Sequence, residues 1–178
     1  MDLAVRYDDI KQELFSLPKL TPESFMNSHH RISLTPVRNP LNGYQKGKCF
    51  YCFDHISVES NQTDTCDVDH FIPLSIQHSF TEDLDLNGVW NLVLSCQDCN
   101  RGDHNGKFKR LPDRSLLERL SKRNEYFISS NHPLKETLIL KTGKDPVTRA
   151  RFIQDRFKVA QSVQTAEWKP REVHGVGF

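Results

Sequence analysis

Two cysteine pairs, each with two residues between its members, constrain this 178-residue chain more than any other feature. The pairs are Cys49 with Cys52 and Cys96 with Cys99, and 43 residues separate them. One such pair can hold a metal ion from a single turn, and a second pair completes a tetrahedral thiolate site. We therefore predict that these four cysteines bind one structural zinc ion, and we call them the zinc clip. An iron–sulfur or redox centre is the alternative that the spacing leaves open.

Closing the zinc clip would gather the intervening residues into one loop, and the polar residues of that loop indicate its chemistry. Asp69 precedes His70 in an otherwise apolar stretch, Asn91 opens a second apolar stretch, and Asn100 directly follows the last cysteine. A histidine that is mostly neutral near pH 7 can take a proton from water. Carboxylate and amide oxygens suit Mg²⁺ or Mn²⁺. These are the ingredients of metal-dependent hydrolysis.

Each of these residues also has an ordinary interpretation when it is taken alone. Asp69 and His70 could be surface polar residues of a strand, and Asn91 could begin a strand or a turn. Asn100 could be a helix N-cap. All four residues lie where closure of the zinc clip would bring them together, and this favours the catalytic interpretation. Cys66, the fifth cysteine, is expected to be a small buried thiol.

In their order, these segments resemble the HNH endonuclease family, in the branch whose ββα-metal core is braced by two CxxC pairs. The resemblance covers roughly residues 48–108 and rests on three motifs: Asp69-His70-Phe71-Ile72-Pro73, Trp90-Asn91-Leu92, and Cys99-Asn100. It implies two short strands and a helix around one divalent ion. The implied activity is hydrolysis of phosphodiester bonds, usually in DNA.

The resemblance also implies a role for each polar residue. His70 would be the general base that activates water, and Asp69 with Asn100 would hold the catalytic Mg²⁺ or Mn²⁺. Asn91 would orient the His70 ring and fix its tautomer. His104 lies four residues after Asn100, on the same face of a helix, and is a candidate for a further ligand.

Charge is divided unevenly along the chain. Residues 1–100 hold 7 Lys/Arg and 14 Asp/Glu, whereas residues 101–178 hold 17 and 9. A basic half favours a polyanionic substrate, although such sorting also arises on solvated helices. Where the family commonly has a lysine after the cysteine–asparagine pair, this chain has Asp103. The basic residues that follow are predicted to contact nucleic acid: Lys107, Lys109, Arg110 and Arg114.

The predicted fold class is α+β, with a small ββα-metal core and a zinc clip flanked by N- and C-terminal helices. We expect a helical N-terminal layer over residues 1–47, the core over 48–110, and a helical extension over 111–178. Within the core, strands are expected at 66–74 and 92–94, and a helix from Asn100 onward. These segments would together form one compact unit.

Outside the core, periodicity predicts a helix over residues 3–17. A second, short helix is predicted from Thr21 to about residue 29, followed by a loop over 31–48. A helix after Pro112 would turn Arg123 away from its apolar face. Asp145 is expected to cap a final helix that begins at Pro146. The last eleven residues show no periodicity.

No apolar run approaches the roughly 18 residues of a membrane span, and the first residues do not resemble a signal peptide. We therefore expect a cytoplasmic protein that contacts DNA and no membrane. The resemblance implies an effector of restriction or phage defence, and because nucleases of this family are often attached to a partner that licenses cutting, a licensing protein partner is a further expectation. Two alternatives remain open: a zinc-stabilised binding module without catalysis, and an RNase toxin built on the same core.

Overall fold

The computed structural model describes residues 35–59, 62–80, 85–103 and 105–174, and the helices predicted within residues 1–29 lie outside this part. Residues 37–178 form one compact unit. Short 3₁₀ turns at Leu74–Ser79 and Val89–Asn91 connect elements of the core. In chain order the elements are α1 (Arg38–Gln45), β1 (Asp67–His70), β2 (Leu92–Ser95), α2 (Gln97–Arg101), β3 (Leu111–Pro112), α3 (Ser115–Ser129), α4 (Lys135–Thr142), α5 (Pro146–Val163) and β4 (Glu167–Trp168).

The core begins with an antiparallel pair of strands. β1 pairs with β2 so that Asp69 lies opposite Val93 and His70 opposite Leu92. Every residue of β2 is buried, because its two faces are both covered, whereas β1 is only partly buried. α2 follows β2 directly and packs against β1. This ββα arrangement confirms the predicted α+β fold class.

The bounds of the core elements differ from the predicted ones. β1 ends at His70, where the Phe71 N–H donates to the Asn91 carbonyl (2.8 Å) and the chain leaves the strand. α2 begins at Gln97, three residues before the predicted start, because the Cys96 side chain caps it by accepting from the Cys99 N–H. The helix then ends at Arg101, and Gly102 is its C-cap.

The loop predicted over residues 31–48 is wrong for its second half, where α1 forms. Pro40 lies in the first turn of that helix, a position in which its missing N–H is not needed. The helix is held in place by Gln45, which is 1% exposed. Its side-chain amide donates to the Leu94 carbonyl (2.7 Å) and accepts from the Leu94 N–H (2.9 Å). Gln45 therefore pairs with the outer edge of β2 as a neighbouring strand would.

The C-terminal helices cover the core. Phe157 of α5 packs on Phe71, with ring centroids 6.2 Å apart, and Phe152 packs edge-on against Trp90 at 5.1 Å. The predicted start of α5 is confirmed, since the Asp145 carboxylate accepts from the Thr148 N–H.

The predicted outward position of Arg123 is wrong. It is 1% exposed, and its guanidinium donates to the carbonyls of Val89 and Trp90. Helical periodicity treats arginine as a surface residue, but main-chain carbonyls inside the fold can satisfy its donors.

A second small sheet joins the C-terminal segment to the core. β3 pairs in parallel with β4, and beyond it the His174 N–H donates to the Cys52 carbonyl (2.6 Å). The segment from β4 to His174 therefore makes defined contacts with the core, although its sequence shows no periodicity. Over the described residues, no helix is both long and apolar enough to cross a membrane. The predicted boundaries near residues 47 and 110 stay predictions.

Candidate active site and metal centre

The four cysteines of the zinc clip come together in the fold. Their sulfur atoms lie within 4.8 Å of one another, and Cys52 Sγ is 3.7 Å from Cys96 Sγ. Tetrahedral Zn–S bonds of about 2.3 Å place neighbouring sulfurs about 3.8 Å apart, so this donor set fits one zinc ion. Cys66 is a buried free thiol, as expected.

Main-chain geometry prepares both cysteine pairs for a metal. The Asp54 N–H donates to Cys52 Sγ and the Cys99 N–H donates to Cys96 Sγ, each at 3.4 Å. Hydrogen bonds of this kind stabilise thiolate charge. Phe53 has a left-handed conformation (φ 65°), which turns the chain back around the first pair.

At the end of β1, the Asp69 carboxylate is 7% exposed and has two buried partners. The Tyr51 hydroxyl donates to Oδ2 at 2.6 Å. The Lys107 ammonium lies 3.2 Å from Oδ1 and 3.0 Å from Oδ2. Burial, together with the neighbouring Asp69 charge, raises the pKa of Tyr51 well above its ordinary value, so the hydroxyl stays a donor.

His70 is held through one nitrogen of its ring. Its Nε2 lies 2.8 Å from Oδ1 of Asn87, in the connection between β1 and β2. An amide oxygen only accepts hydrogen bonds, so Nε2 carries the proton and Nδ1 has the free lone pair. Burial lowers the pKa of His70 below its ordinary 6.5, against smaller opposing effects of Asn87 and Asp69. The ring is therefore neutral at pH 7 and can act as a base.

Asn91 is fully buried and binds main chain instead of the His70 ring. Its Oδ1 accepts from the Ile72 N–H at 2.8 Å, and its Nδ2 donates to the carbonyls of Ile72 and Leu86, both at 2.9 Å. The ring contact implied for Asn91 by the family resemblance is thus made by Asn87. Asn91 instead links Ile72, in the segment that follows β1, to Leu86, the residue before Asn87.

Asn100 lies on α2 and faces β1. Its Nδ2 donates to Oδ2 of Asp67 at 2.9 Å, and Arg101 Nε also approaches that oxygen at 2.9 Å. Because Asp67 and Asp69 alternate with Val68, both acids lie on the same side of the strand. With its amide nitrogen on Asp67, Asn100 keeps its carbonyl oxygen as a potential ligand.

The basic residues predicted to contact nucleic acid have different environments. Lys109 and Arg114 are exposed, and Arg110 is half-buried with its guanidinium on the carbonyls of Gly106 and Lys107. The Lys107 side chain is 0% exposed, so in this structure it contacts Asp69 and is not available to a phosphate. His104, the candidate further ligand, lies outside the described residues.

Three residues of the site were not identified from sequence, for different reasons. Asn87 precedes Gly88 in a pattern typical of a turn, and Tyr51 lies inside the first cysteine pair, where it looked like a spacer. Lys107 lies in a basic stretch that predicts a surface contact with nucleic acid, whereas the structure buries its side chain against Asp69.

The core of this chain is similar to a known protein family. The HNH endonuclease family model matches residues 49–106. No curated protein matches the chain. Among solved structures, the chain is similar to the Type II-C Cas9 enzyme from Actinomyces naeslundii, at 16% identity and a TM-score of 0.39. That alignment covers 93% of this chain and 18% of the other, so this chain spans less than a fifth of its length.

The family match, the closed cysteine cluster and the ββα core coincide in one stretch of sequence. The match ends at residue 106, directly before Lys107, and leaves the helices that cover the core outside it. Residues 49–106 of this chain therefore match the HNH endonuclease family model at the place where the structure forms the ββα core.

Proposed function

We propose that this protein is a divalent-metal-dependent endonuclease that hydrolyses phosphodiester bonds of DNA, with His70 as the general base. The observation that carries the proposal is the hydrogen bond of 2.8 Å between His70 Nε2 and Asn87 Oδ1. It leaves Nδ1 unprotonated on a ring whose pKa is lowered by burial. A neutral, oriented imidazole of this kind is what water activation requires.

In the proposed reaction, a water oxygen attacks the phosphorus while His70 Nδ1 takes one proton from that water. The new P–O bond forms as the bond to the 3′-oxygen breaks, and the leaving oxygen takes a proton from solvent water, which leaves a 5′-phosphate and a 3′-hydroxyl. Asn87 keeps the proton on Nε2 throughout, so Nδ1 is the only ring atom that receives a proton. A phosphodiester is anionic and a poor electrophile, so charge stabilisation is also needed.

Asp69 and Asn100 are the proposed ligands for the catalytic ion. A carboxylate and an amide oxygen fit Mg²⁺ or Mn²⁺, both of which prefer hard oxygen ligands. When bound, the ion would stabilise negative charge on the phosphate and on the leaving 3′-oxygen. The packing of α2 against β1 supports this pairing, since it brings the element of Asn100 to the strand of Asp69.

Substrate binding is assigned to exposed cations after the second cysteine pair. Lys109 and Arg114 are exposed and lie directly downstream of α2. Cations of this kind bind the phosphate backbone without reading its sequence. The choice of DNA over RNA rests on the family resemblance.

The first test is a cleavage assay with supercoiled plasmid and zinc-loaded protein, in Mg²⁺, in Mn²⁺ and in EDTA. We expect nicking or linearisation that needs the added ion. His70→Ala should slow it by about 10²–10⁴-fold, the usual contribution of a general base. His55→Ala is the matched control, because His55 is exposed and its ring contacts Asp64 on the surface.

Equal cleavage by wild type and His70→Ala would contradict the assignment of the base. Cleavage of a structured RNA but not of plasmid would replace the DNA assignment with RNA. Salt-sensitive binding of plasmid by a folded, zinc-loaded protein that never cuts would favour the non-catalytic binding module.

A further inference from the structure

Lys107 is an unusual residue for the interior of this domain. Its side chain is 0% exposed, and its ammonium makes short contacts with both oxygens of Asp69. The same ammonium donates to the main-chain carbonyl of His70 at 2.8 Å. One buried cation therefore binds both residues of the Asp69–His70 pair.

Tyr51 approaches the same carboxylate from the zinc clip. It lies between Cys49 and Cys52, is fully buried, and donates its hydroxyl to Asp69 Oδ2. Its ring packs edge-on against Trp168, with centroids 5.1 Å apart. The position of the hydroxyl is thus fixed by the first cysteine pair and by β4.

Lys107 is in turn fixed by the second cysteine pair. Its main-chain N–H donates to the Cys99 carbonyl, and the indole N–H of Trp168 donates to the Asn105 carbonyl just before it. Gly106 makes this close return of the chain feasible, since a Cβ there would lie 2.5 Å from the Gly102 nitrogen. The approach of Lys107 to Asp69 therefore depends on local main-chain packing.

We propose that Tyr51 and Lys107 are positioning residues of the nuclease site, and we call Tyr51, Asp69 and Lys107 the brace. The brace fixes the Asp69 carboxylate as an ion ligand and the His70 main chain as the support of the general base. This inference rests on the proposed function, and it goes further by coupling the zinc clip to the ion site. It also includes Lys107, which lies just outside the matched family segment.

Fold stability alone does not explain the brace. Burying two charges costs desolvation energy, and apolar residues of similar volume often replace a buried ion pair without loss of stability. What an apolar replacement cannot do is aim the lone pairs of a carboxylate. Ligating carboxylates are characteristically hydrogen-bonded themselves, and loss of such a partner typically costs about 10–100-fold in metal affinity or activity.

The test compares zinc-loaded wild type with Tyr51→Phe, Lys107→Met and Lys107→Arg. The matched control is Lys122→Met, because Lys122 is a surface residue that pairs with the exposed Glu118. For each variant, zinc content and thermal unfolding establish folding. Mn²⁺ affinity is measured by calorimetry, which needs no cleavage, and plasmid cleavage is measured against Mg²⁺ concentration.

We expect Tyr51→Phe and Lys107→Met to keep stoichiometric zinc and to weaken Mn²⁺ binding by about 10–100-fold. The Mg²⁺ midpoint for cleavage should rise in parallel. Lys107→Arg should recover part of the loss because it keeps the charge and donors, and Lys122→Met should match wild type. Should Lys107→Met fail to fold, Tyr51→Phe decides the matter, since it removes a single oxygen atom.

Unchanged Mn²⁺ affinity in folded Tyr51→Phe and Lys107→Met would overturn the brace. Tighter Mn²⁺ binding in Lys107→Met would also overturn it, because the ammonium would then compete with the ion for Asp69. A wild type that binds Mn²⁺ through Asp69 but never cleaves would sink the proposed function while leaving the brace to be judged on affinity. A wild type that does neither would refute both.

Discussion

The zinc clip and the end of β1 lie in one small domain, yet they are built in opposite ways. The clip takes its ligands from two local turns, each of which already presents two sulfurs and main-chain N–H donors to them. The end of β1 takes each critical contact from a different segment: Asn87 for His70, Lys107 and Tyr51 for Asp69. A local site depends mainly on residue type and spacing, whereas the second site depends on the whole fold.

The two regions also differ in how much free energy their contacts contribute to folding. Four thiolates around one metal ion form a closed site whose binding energy is also folding energy. The contacts around Asp69 and His70 are individual hydrogen bonds and one ion pair, each contributing far less. Damage to the clip should therefore be global, and damage near β1 should be local.

The largest effect is expected from loss of the clip. Small zinc-binding peptides gain on the order of 10–16 kcal/mol from the metal, so Cys96→Ser should abolish zinc binding and cooperative unfolding. Circular dichroism and zinc analysis would measure both, with and without a chelator. Cys66→Ala, which removes a buried thiol outside the clip, should keep zinc and cost about 1 kcal/mol. A Cys96→Ser protein with full zinc and an unchanged melting temperature would remove the contrast between the two regions.

A smaller effect is expected from Asn91→Ala, which acts on the connection between β1 and β2. The substitution leaves the Ile72 N–H and two carbonyls without their partner, and a buried unsatisfied group costs about 1–3 kcal/mol. Urea unfolding should show the loss while zinc content stays complete. Asn87→Ala removes a single, less buried contact and should cost about 1 kcal/mol or less. Equal losses for the two variants would contradict the supporting role assigned to Asn91.

The smallest effect concerns pH. Because burial lowers the pKa of His70, the acid limb of the cleavage rate should lie below pH 6.5. Asn87→Asp would place a carboxylate on the ring, raise the pKa of His70 and move this limb to higher pH. The check is the cleavage rate at saturating Mg²⁺ from pH 5 to 8, for wild type and variant. An acid limb at the same pH in both proteins would argue against Asn87 as the ring partner.

The lowered pKa of His70 also makes the free energy of unfolding depend on pH. His70 has a lower pKa in the folded state than in the unfolded chain, so the unfolded chain binds the proton more readily. The contribution of His70 to stability is therefore complete above pH 6.5 and is lost as the pH falls from there towards the folded pKa. In Asn87→Asp this loss should be smaller.

Sequence reasoning worked where function depends on residue type at short spacing. Patterns of a few residues were enough to predict the paired cysteines as metal ligands, the strand β2 and the helix cap at Asp145. It failed where a side chain pairs with main chain far away in sequence. Gln45 lies 49 residues from Leu94, and the proline and glycine of its own helix favoured a loop.

The buried cations show the same limit. Arg123 and Lys107 lie 34 and 38 residues from Val89 and Asp69, which accept hydrogen bonds from them. A lysine or arginine in a polar stretch is normally solvated, so periodicity places it outside. Its burial becomes acceptable only after the fold has supplied carbonyls and a carboxylate in the right positions.

By itself, the sequence determined the grouping of the four cysteines, the ββα core, the likeness of residues 49–106 to the HNH endonuclease family and the choice of His70 as the candidate base. These follow from motifs whose spacing is short and whose chemistry is specific. Only the tertiary structure decided which side chain orients that base, which cation accompanies Asp69, and that the C-terminal segment reaches the cysteines. Each of these is a contact between segments distant in the chain, and it exists only because burial of the shared core brings them within hydrogen-bond distance.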